Sequence, residues 1–365
     1  MLLICMQLIN AQSSRNEVVN TLNKYLEGSS FNDRTKLKDA FSEDATLYLK
    51  SKNNPLRSIT PDTYIGWFKN NPKGKFNGRI GRILSVNVQG DVASAQLEIL
   101  MVSRNNGYTR YIDLLLLAKR NNVWKIISKT ASSSKTNQLG QRVVFFLSNT
   151  HFYKGTSHGT GNSFSEIVNA YDEFVKAGYA VDFVSPDGGA VSLAYINTSD
   201  TLSKKYVYDP VFMHALQHTK KPSEILASDY KAVYYVGGGS AMFDVPVNNE
   251  MQSIAMDIYE KNGGIISAVC HGTAGIVNLK TSNGEYLVKG KRVNGYPEDY
   301  ENTSKPHFKT FPFLIKKTIE ERGGIFVFSE RNALHVEVDG RLVTGQNYVS
   351  SQAVAQKIIE LLGKK

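Results

Sequence analysis

The chain has 365 residues, 41% of them hydrophobic and 21% charged, ordinary values for a globular protein long enough to form two domains. Its formal charge of +10 is confined to the first part, where 20 Lys and Arg stand against 10 Asp and Glu up to Gly140. These basic residues are scattered without a dense run, which argues for a solvated surface and against a nucleic-acid site; beyond the opening residues no 18-residue apolar run exists, so no membrane span is expected.

The opening MLLICMQLINAQSS is apolar, and Ile9-Asn10-Ala11 before Gln12 has the small-residue character of a signal-peptidase site. Residues 1–12 are therefore read as a secretory signal, although no Lys or Arg precedes the apolar run. Export to the periplasm or medium follows if the segment is cleaved; otherwise the protein stays cytoplasmic and the stretch forms a short apolar helix. Cys5 would leave with the signal, so Cys270 would be the only thiol, unable to form an intramolecular disulfide or a cysteine-rich zinc site.

Apolar residues at helical spacing predict a helix over 16–26, and a second short one over 34–41. From Ala45 the pattern becomes strand-like: ATLYLK, RIGRILSVNVQGDVASAQLEILMVSR and YTRYIDLLLLAKRNNVWKIISKTASS, with turns at Gln89-Gly90-Asp91 and Arg120-Asn121-Asn122. Helices followed by antiparallel strands make an α+β domain over 13–133. No acid–base pair stands out there. The polar segment 134–141 reads as a linker.

From 142 to 365 short apolar strands alternate with helices. Strands VVFFLS, AVDFVS, AVYYVGG and GIISAVC are separated by helices near 164–177, 210–218 and 248–262. A helix near 313–322, strands near IFVF, LHVEV and RLVTG and a last helix over 350–362 complete the pattern, that of a parallel sheet covered on both faces.

In such a sheet ligands sit outside the carboxyl ends of the strands. The strand GIISAV ends at Cys270, and HGTAGIVNL is expected to open a helix at once, which places the thiol on a nucleophile elbow. Backbone N–H groups at a helix start favour a thiolate and can hold an oxyanion. His271 is a candidate base, given a carboxylate to orient it. A second turn, VGGGSAMFDVP, offers the amides of Gly238 and Gly239 as the other half of an oxyanion hole. His151 and His158, or His214 and His218 at i,i+4 spacing, lack a proper ligand set for a metal.

Residues 143–363 resemble the ThiJ/PfpI proteins, with their flavodoxin-like, class I glutamine amidotransferase-like α/β fold, through AVCHGTAGIVNL, GGGSAMFDVP, FSEIVNAYDEFVKAGYAVDFVSPDGG, FPFLIKKTIEERGG and VDGRLVTGQNYVSSQAVA. The insert 190–227, the SPDGG turn and the TGQN segment resemble the branch of heat-shock chaperones and glutathione-independent glyoxalases. That resemblance implies a catalytic set of Cys270, His271, Glu301 and Glu166, with Glu298 and Asp299 as alternatives to Glu301. It implies no metal or cofactor. Three positions depart from the branch: Gly239 where a histidine is common, and Thr273 and Tyr348 where prolines are. Residues 14–133 resemble the nuclear-transport-factor-2-like fold, close to a lumazine-binding-like group, whose cone-shaped pocket would contain Tyr48, Trp67 and Tyr111 if their side chains point inward.

These implications give a cysteine-dependent conversion of a small 2-oxoaldehyde such as methylglyoxal to a 2-hydroxy acid, in a homodimer. A cysteine hydrolase or amidase, and a non-enzymatic stress protein or chaperone with a redox-sensing thiol, remain as alternatives.

Overall fold

The computed structural model describes residues 2–51, 54–102 and 108–363, with side chains over 13–50, 56–102 and 108–363. The chain divides into two compact units, Met1–Gly140 and Gln141–Lys365.

The first unit opens with α1 (Leu2–Ser30), a single helix that takes in both the predicted helix 16–26 and the backbone of the segment read as a signal. The side chains of that segment, Cys5 included, lie outside the described residues. The Asp33 carboxylate accepts the N–H groups of Thr35 and Lys36 and so caps α2 (Arg34–Ala40). Phe41, expected in that helix, instead opens β1 (Phe41–Ser51). After β2 (Asn54–Ile59), a short α3 (Pro61–Gly66) that the pattern did not predict starts on the Thr60 cap. Then come β3 (Arg79–Gln89), β4 (Val92–Val102), β5 (Tyr108–Arg120) and β6 (Val123–Thr136).

These strands form one sheet in the order β2-β1-β6-β5-β4-β3, antiparallel except for the parallel pair β1–β6. The predicted turns close two of its hairpins, with Asn121 and Asn122 at φ 49° and 63°, the left-handed pair that matches strand twist. Val18, Leu22 and Tyr25 of α1 are fully buried in one cluster with Leu47, Leu97, Leu117 and Ile126 of the sheet. Two expectations need correction. Residues 134–136, read as linker, belong to β6 because Ser132 to Thr136 pair with Ile112 to Tyr108. Tyr48 and Trp67 are 44% and 50% exposed and line no interior, whereas Tyr111 packs against the core.

The second unit runs β7 (Arg142–Phe146), β8 (Asn162–Ser163), α4 (Phe164–Lys176), β9 (Ala180–Val184), β10 (Leu193–Ala194), α5 (Thr201–Val207) and α6 (Pro210–Gln217). It continues with β11 (Tyr230–Tyr235), α7 (Asn249–Glu260), β12 (Ile265–Val269), β13 (Arg292–Val293), α8 (Ile315–Glu321) and β14 (Ile325–Phe326). The last elements are β15 (Val336–Asp339), β16 (Leu342–Gly345) and α9 (Ser351–Gly363). The main sheet has the order β15-β16-β12-β11-β7-β9 and is parallel except for its edge strand β15.

Successive residues of a strand face opposite sides, and here both sides are apolar. Val143 and Phe145 join the core under α4 and α9, while Val144 and Phe146 join the core under α7 and α8. This is why the central strands read as unbroken apolar runs. No helix among the described residues is long and apolar enough to cross a membrane.

Candidate active site

Cys270 follows the last residue of β12 with φ 57°, a left-handed conformation that costs a residue with a Cβ about 1–2 kcal/mol. The segment after it is not the expected α-helix but a 3-10 helix, Cys270–Ile276. Its glycine edge lies directly on β11: a Cβ at Gly272 would stand 2.3 Å from the Tyr235 carbonyl oxygen. The narrower 3-10 winding permits that approach. Cys270 is only 9% exposed, and the His271 backbone N–H donates to its sulfur.

The His271 ring bridges the thiol and a carboxylate. Its Nδ1 is 3.5 Å from Sγ of Cys270, and its Nε2 is 2.6 Å from Oε1 of Glu301. With the Nε2 hydrogen donated to Glu301, Nδ1 keeps its lone pair toward the thiol. The two other acids of the loop go elsewhere: Glu298 accepts the N–H groups of Lys316 and Lys317 at the start of α8, and Asp299 pairs with the Lys316 ammonium. Of the three, Glu301 is the one brought to His271.

Glu166 lies in the first turn of α4, 2% exposed, with Oε2 accepting the Gly237 N–H at 2.9 Å. A Cβ at Gly237 would stand 2.4 Å from that oxygen and 2.9 Å from Cβ of Cys270, so carboxyl and thiol close on the same glycine. Burial raises the Glu166 carboxyl to about 8. Burial first, and the facing carboxylate second, push the Cys270 thiol up as well. Two acids buried side by side resist ionising together.

Gly238 has φ 105°, open to glycine alone, and a Cβ there would meet the Gly161 carbonyl oxygen at 2.2 Å. At Gly239 a Cβ would stand 2.3 Å from the Tyr153 hydroxyl and 2.8 Å from Oγ1 of Thr160. Tyr153 thus fills the space into which a side chain at 239 would project. Of the other two departures, Thr273 is fully buried and donates its hydroxyl to the Asn294 carbonyl, and Tyr348 is 52% exposed.

Sequence reasoning missed the aromatic wall. His271 stacks on Tyr296 at 4.8 Å, and Tyr153 stacks on His307 at 4.9 Å. Tyr195 holds a left-handed backbone at φ 58° and is 68% exposed. Tyr296 was the more visible, since it directly follows the glycine of the loop that carries Glu301. His271 and Glu301 also border a small, partly open pocket lined by Met242, Phe308, Phe311 and Phe313.

Three other histidines have partners of their own. His151 bonds Ser192 through Nδ1 at 2.5 Å, and the rings of His214 and His218 pack on each other at 4.3 Å. Among the described residues no group of three His, Cys, Asp or Glu is placed to hold a metal ion.

Comparison with known proteins follows the division into units. Residues 159–361 match the model of the DJ-1/PfpI family, and residues 13–132 match the family described as "Putative lumazine-binding". The chain is 31% identical over 218 residues to glutathione-independent glyoxalase hsp3102 of Schizosaccharomyces pombe, spanning 56% of this chain and 89% of that protein. It is 32% identical over 214 residues to glyoxalase 3 of Candida albicans, spanning 55% of this chain and 89% of that one. The crystal structure of Candida albicans glyoxalase III superposes with a TM-score of 0.55 and 30% identity, over 61% of this chain and 97% of that chain.

Proposed function

The chain belongs to the DJ-1/PfpI family, and on that footing we propose that its second unit is a glutathione-independent glyoxalase that turns a small 2-oxoaldehyde into a 2-hydroxy acid. The observation that carries this reading is the convergence of a thiol, a histidine–carboxylate pair and a buried, proton-holding carboxyl: Sγ–Nδ1 3.5 Å, Nε2–Oε1 2.6 Å, and Glu166 against Gly237 beside Cys270. The relatives named glyoxalase, about as similar at 31% and 32% identity, support the substrate class.

With methylglyoxal, His271 takes the thiol proton and Sγ adds to the aldehyde carbon. The alkoxide that forms is held by the amides near Gly238, Gly239 and His271 and receives that proton back, giving a hemithioacetal. His271 then removes the hydrogen from the former aldehyde carbon while the protonated Glu166 gives its proton to the ketone oxygen, producing an enediol. In the second half His271 returns its proton to the former ketone carbon and Glu166 takes the hydroxyl proton from the carbon bonded to sulfur. The product is a lactoyl thioester, with both groups restored to their starting states. Water releases lactate and the thiol. Glu301 keeps the His271 ring oriented and stabilises its cationic form.

A carboxyl lifted to about 8 by burial holds its proton at neutral pH and can act as the acid of this exchange. A thiol only 9% exposed suits a three-carbon substrate better than a peptide, which weighs against the hydrolase reading. Supplying the purified protein and Cys270→Ala with methylglyoxal and following lactate tests the reaction; equal lactate from both would sink it. Export and dimerisation belong to the same proposal, and N-terminal sequencing of secreted material and light scattering test them.

A further inference from the structure

The interior of the first unit holds a charged cluster that the second unit's chemistry does not use. Strand register places it. Arg79 pairs with Met101 and Met101 with Thr109; one layer deeper Ile99 pairs with Tyr111, and deeper still Leu97 pairs with Asp113. Lys129 pairs with Leu115 on the same side of the sheet. These side chains share the face that α1 covers, because Tyr25 of α1 donates its hydroxyl to Oδ2 of Asp113 at 2.7 Å.

Asp113 is 2% exposed and its two oxygens are taken: Tyr25 holds one, and the Lys129 ammonium holds Oδ1 at 2.8 Å. Tyr64 closes the network with its hydroxyl 3.1 Å from that of Tyr25. One carboxylate therefore faces two cations, Lys129 and Arg79. Among the described residues the only side-chain hydrogen bond of Arg79 runs from Nη1 to the Met101 thioether at 3.4 Å, and its Nε is buried with no acceptor. Glu98 cannot supply one, since it pairs with Arg82 in register, lies on the opposite face, and is bound by Arg82, Arg110 and Gln138.

A buried guanidinium N–H left to a thioether lacks the acceptor that such a group demands. Arg79, Met101, Thr109 and Tyr111 are all half-buried, so they form the outer wall above the sealed Asp113–Lys129 pair. We propose that this interior is a binding site for a small organic carboxylate with a flat apolar body. The planar guanidinium of Arg79 takes the two carboxylate oxygens, and the Met101 thioether and Tyr111 ring take the body. Bound there, the ligand's charge balances the cationic excess left by the single carboxylate of Asp113.

The test is isothermal titration of the full chain with benzoate. The expected result is one benzoate per chain, affinity unchanged in Cys270→Ala, and affinity weakened about tenfold or more in Arg79→Met. No binding by the wild-type chain, equal binding by Arg79→Met, or loss in Cys270→Ala would each overturn the site, the last by placing benzoate in the second unit. If circular dichroism shows Arg79→Met unfolded, Arg79→Lys decides: it keeps the charge without the fork, so undiminished affinity there also overturns the proposal.

Discussion

His271 donates the hydrogen on Nε2 to Oε1 of Glu301 across 2.6 Å, while Glu298, three residues earlier, turns away to receive two backbone N–H groups of α8, each at 2.9 Å. The two acids should therefore fail differently. Glu301→Gln is expected to lower kcat on methylglyoxal by about 10²-fold with little change in thermal midpoint. Glu298→Gln is expected to keep kcat and lose about 1 kcal/mol of stability, as for a lost helix cap. Steady-state kinetics with urea unfolding on both variants checks this; a larger kcat loss in Glu298→Gln would reverse the assignment.

Burial raises Glu166 to about 8 from an ordinary value of 4.5. An acid whose pKa rises on folding binds more protons in the native state between these values. Its contribution to stability is therefore fullest below about 4.5 and declines by up to about 1.4 kcal/mol per pH unit as pH rises toward 8. Glu166→Gln has no charge to bury, so the stability of the variant relative to wild type should improve between pH 5 and pH 8.5. Unfolding curves for the two proteins that stay parallel across that range would contradict the buried, protonated carboxyl.

Gly239 and Tyr153 are expected to be coupled. A methyl at 239 meets the tyrosine hydroxyl, so Gly239→Ala should destabilise by about 1–3 kcal/mol, and Tyr153→Phe in the same chain should recover about 1 kcal/mol of it by removing the oxygen. A double-mutant cycle in urea measures the coupling, and strict additivity would show that the two do not touch.

In the first unit, Lys129 and Asp113 are 4% and 2% exposed. Lys129→Met leaves the carboxylate buried beside the Tyr25 hydroxyl without its ammonium and should cost about 3 kcal/mol or more. Replacing both, as Asp113→Leu with Lys129→Met, should cost less than the single change. A double variant less stable than Lys129→Met would mean that Tyr25 and Tyr64 depend on the carboxylate more than the ion pair does.

Much of the fold was legible because it rests on local pattern. The apolar runs 143–146 and 265–269 could be buried on both faces only in a covered sheet, and Asn121-Asn122 could close a hairpin because asparagine tolerates φ near 60°. Winding after Cys270 was misread because HGTAGIVNL has a helix-like composition, while the 3-10 turn follows from contact with Tyr235, 35 residues earlier. Residues 134–136 differ from the expected linker for a similar reason: SKT looks flexible in composition, and only pairing with β5 makes it strand.

The sequence by itself determined which groups could do chemistry: a thiol ending a buried strand, a histidine beside it, an acid on the first helix of the unit and three acids on one later loop. Tertiary structure decided which of those acids faces His271, that Tyr153 occupies the space beside Gly239, and that Asp113 and Lys129 meet inside the first unit where no acid–base pair was expected. The division has a physical cause. The thiol, the histidine beside it and the strand before them are set by residue type and by neighbours along the chain, whereas burial, partner choice and the resulting shift of a carboxyl to about 8 depend on atoms that only folding brings within a few ångströms.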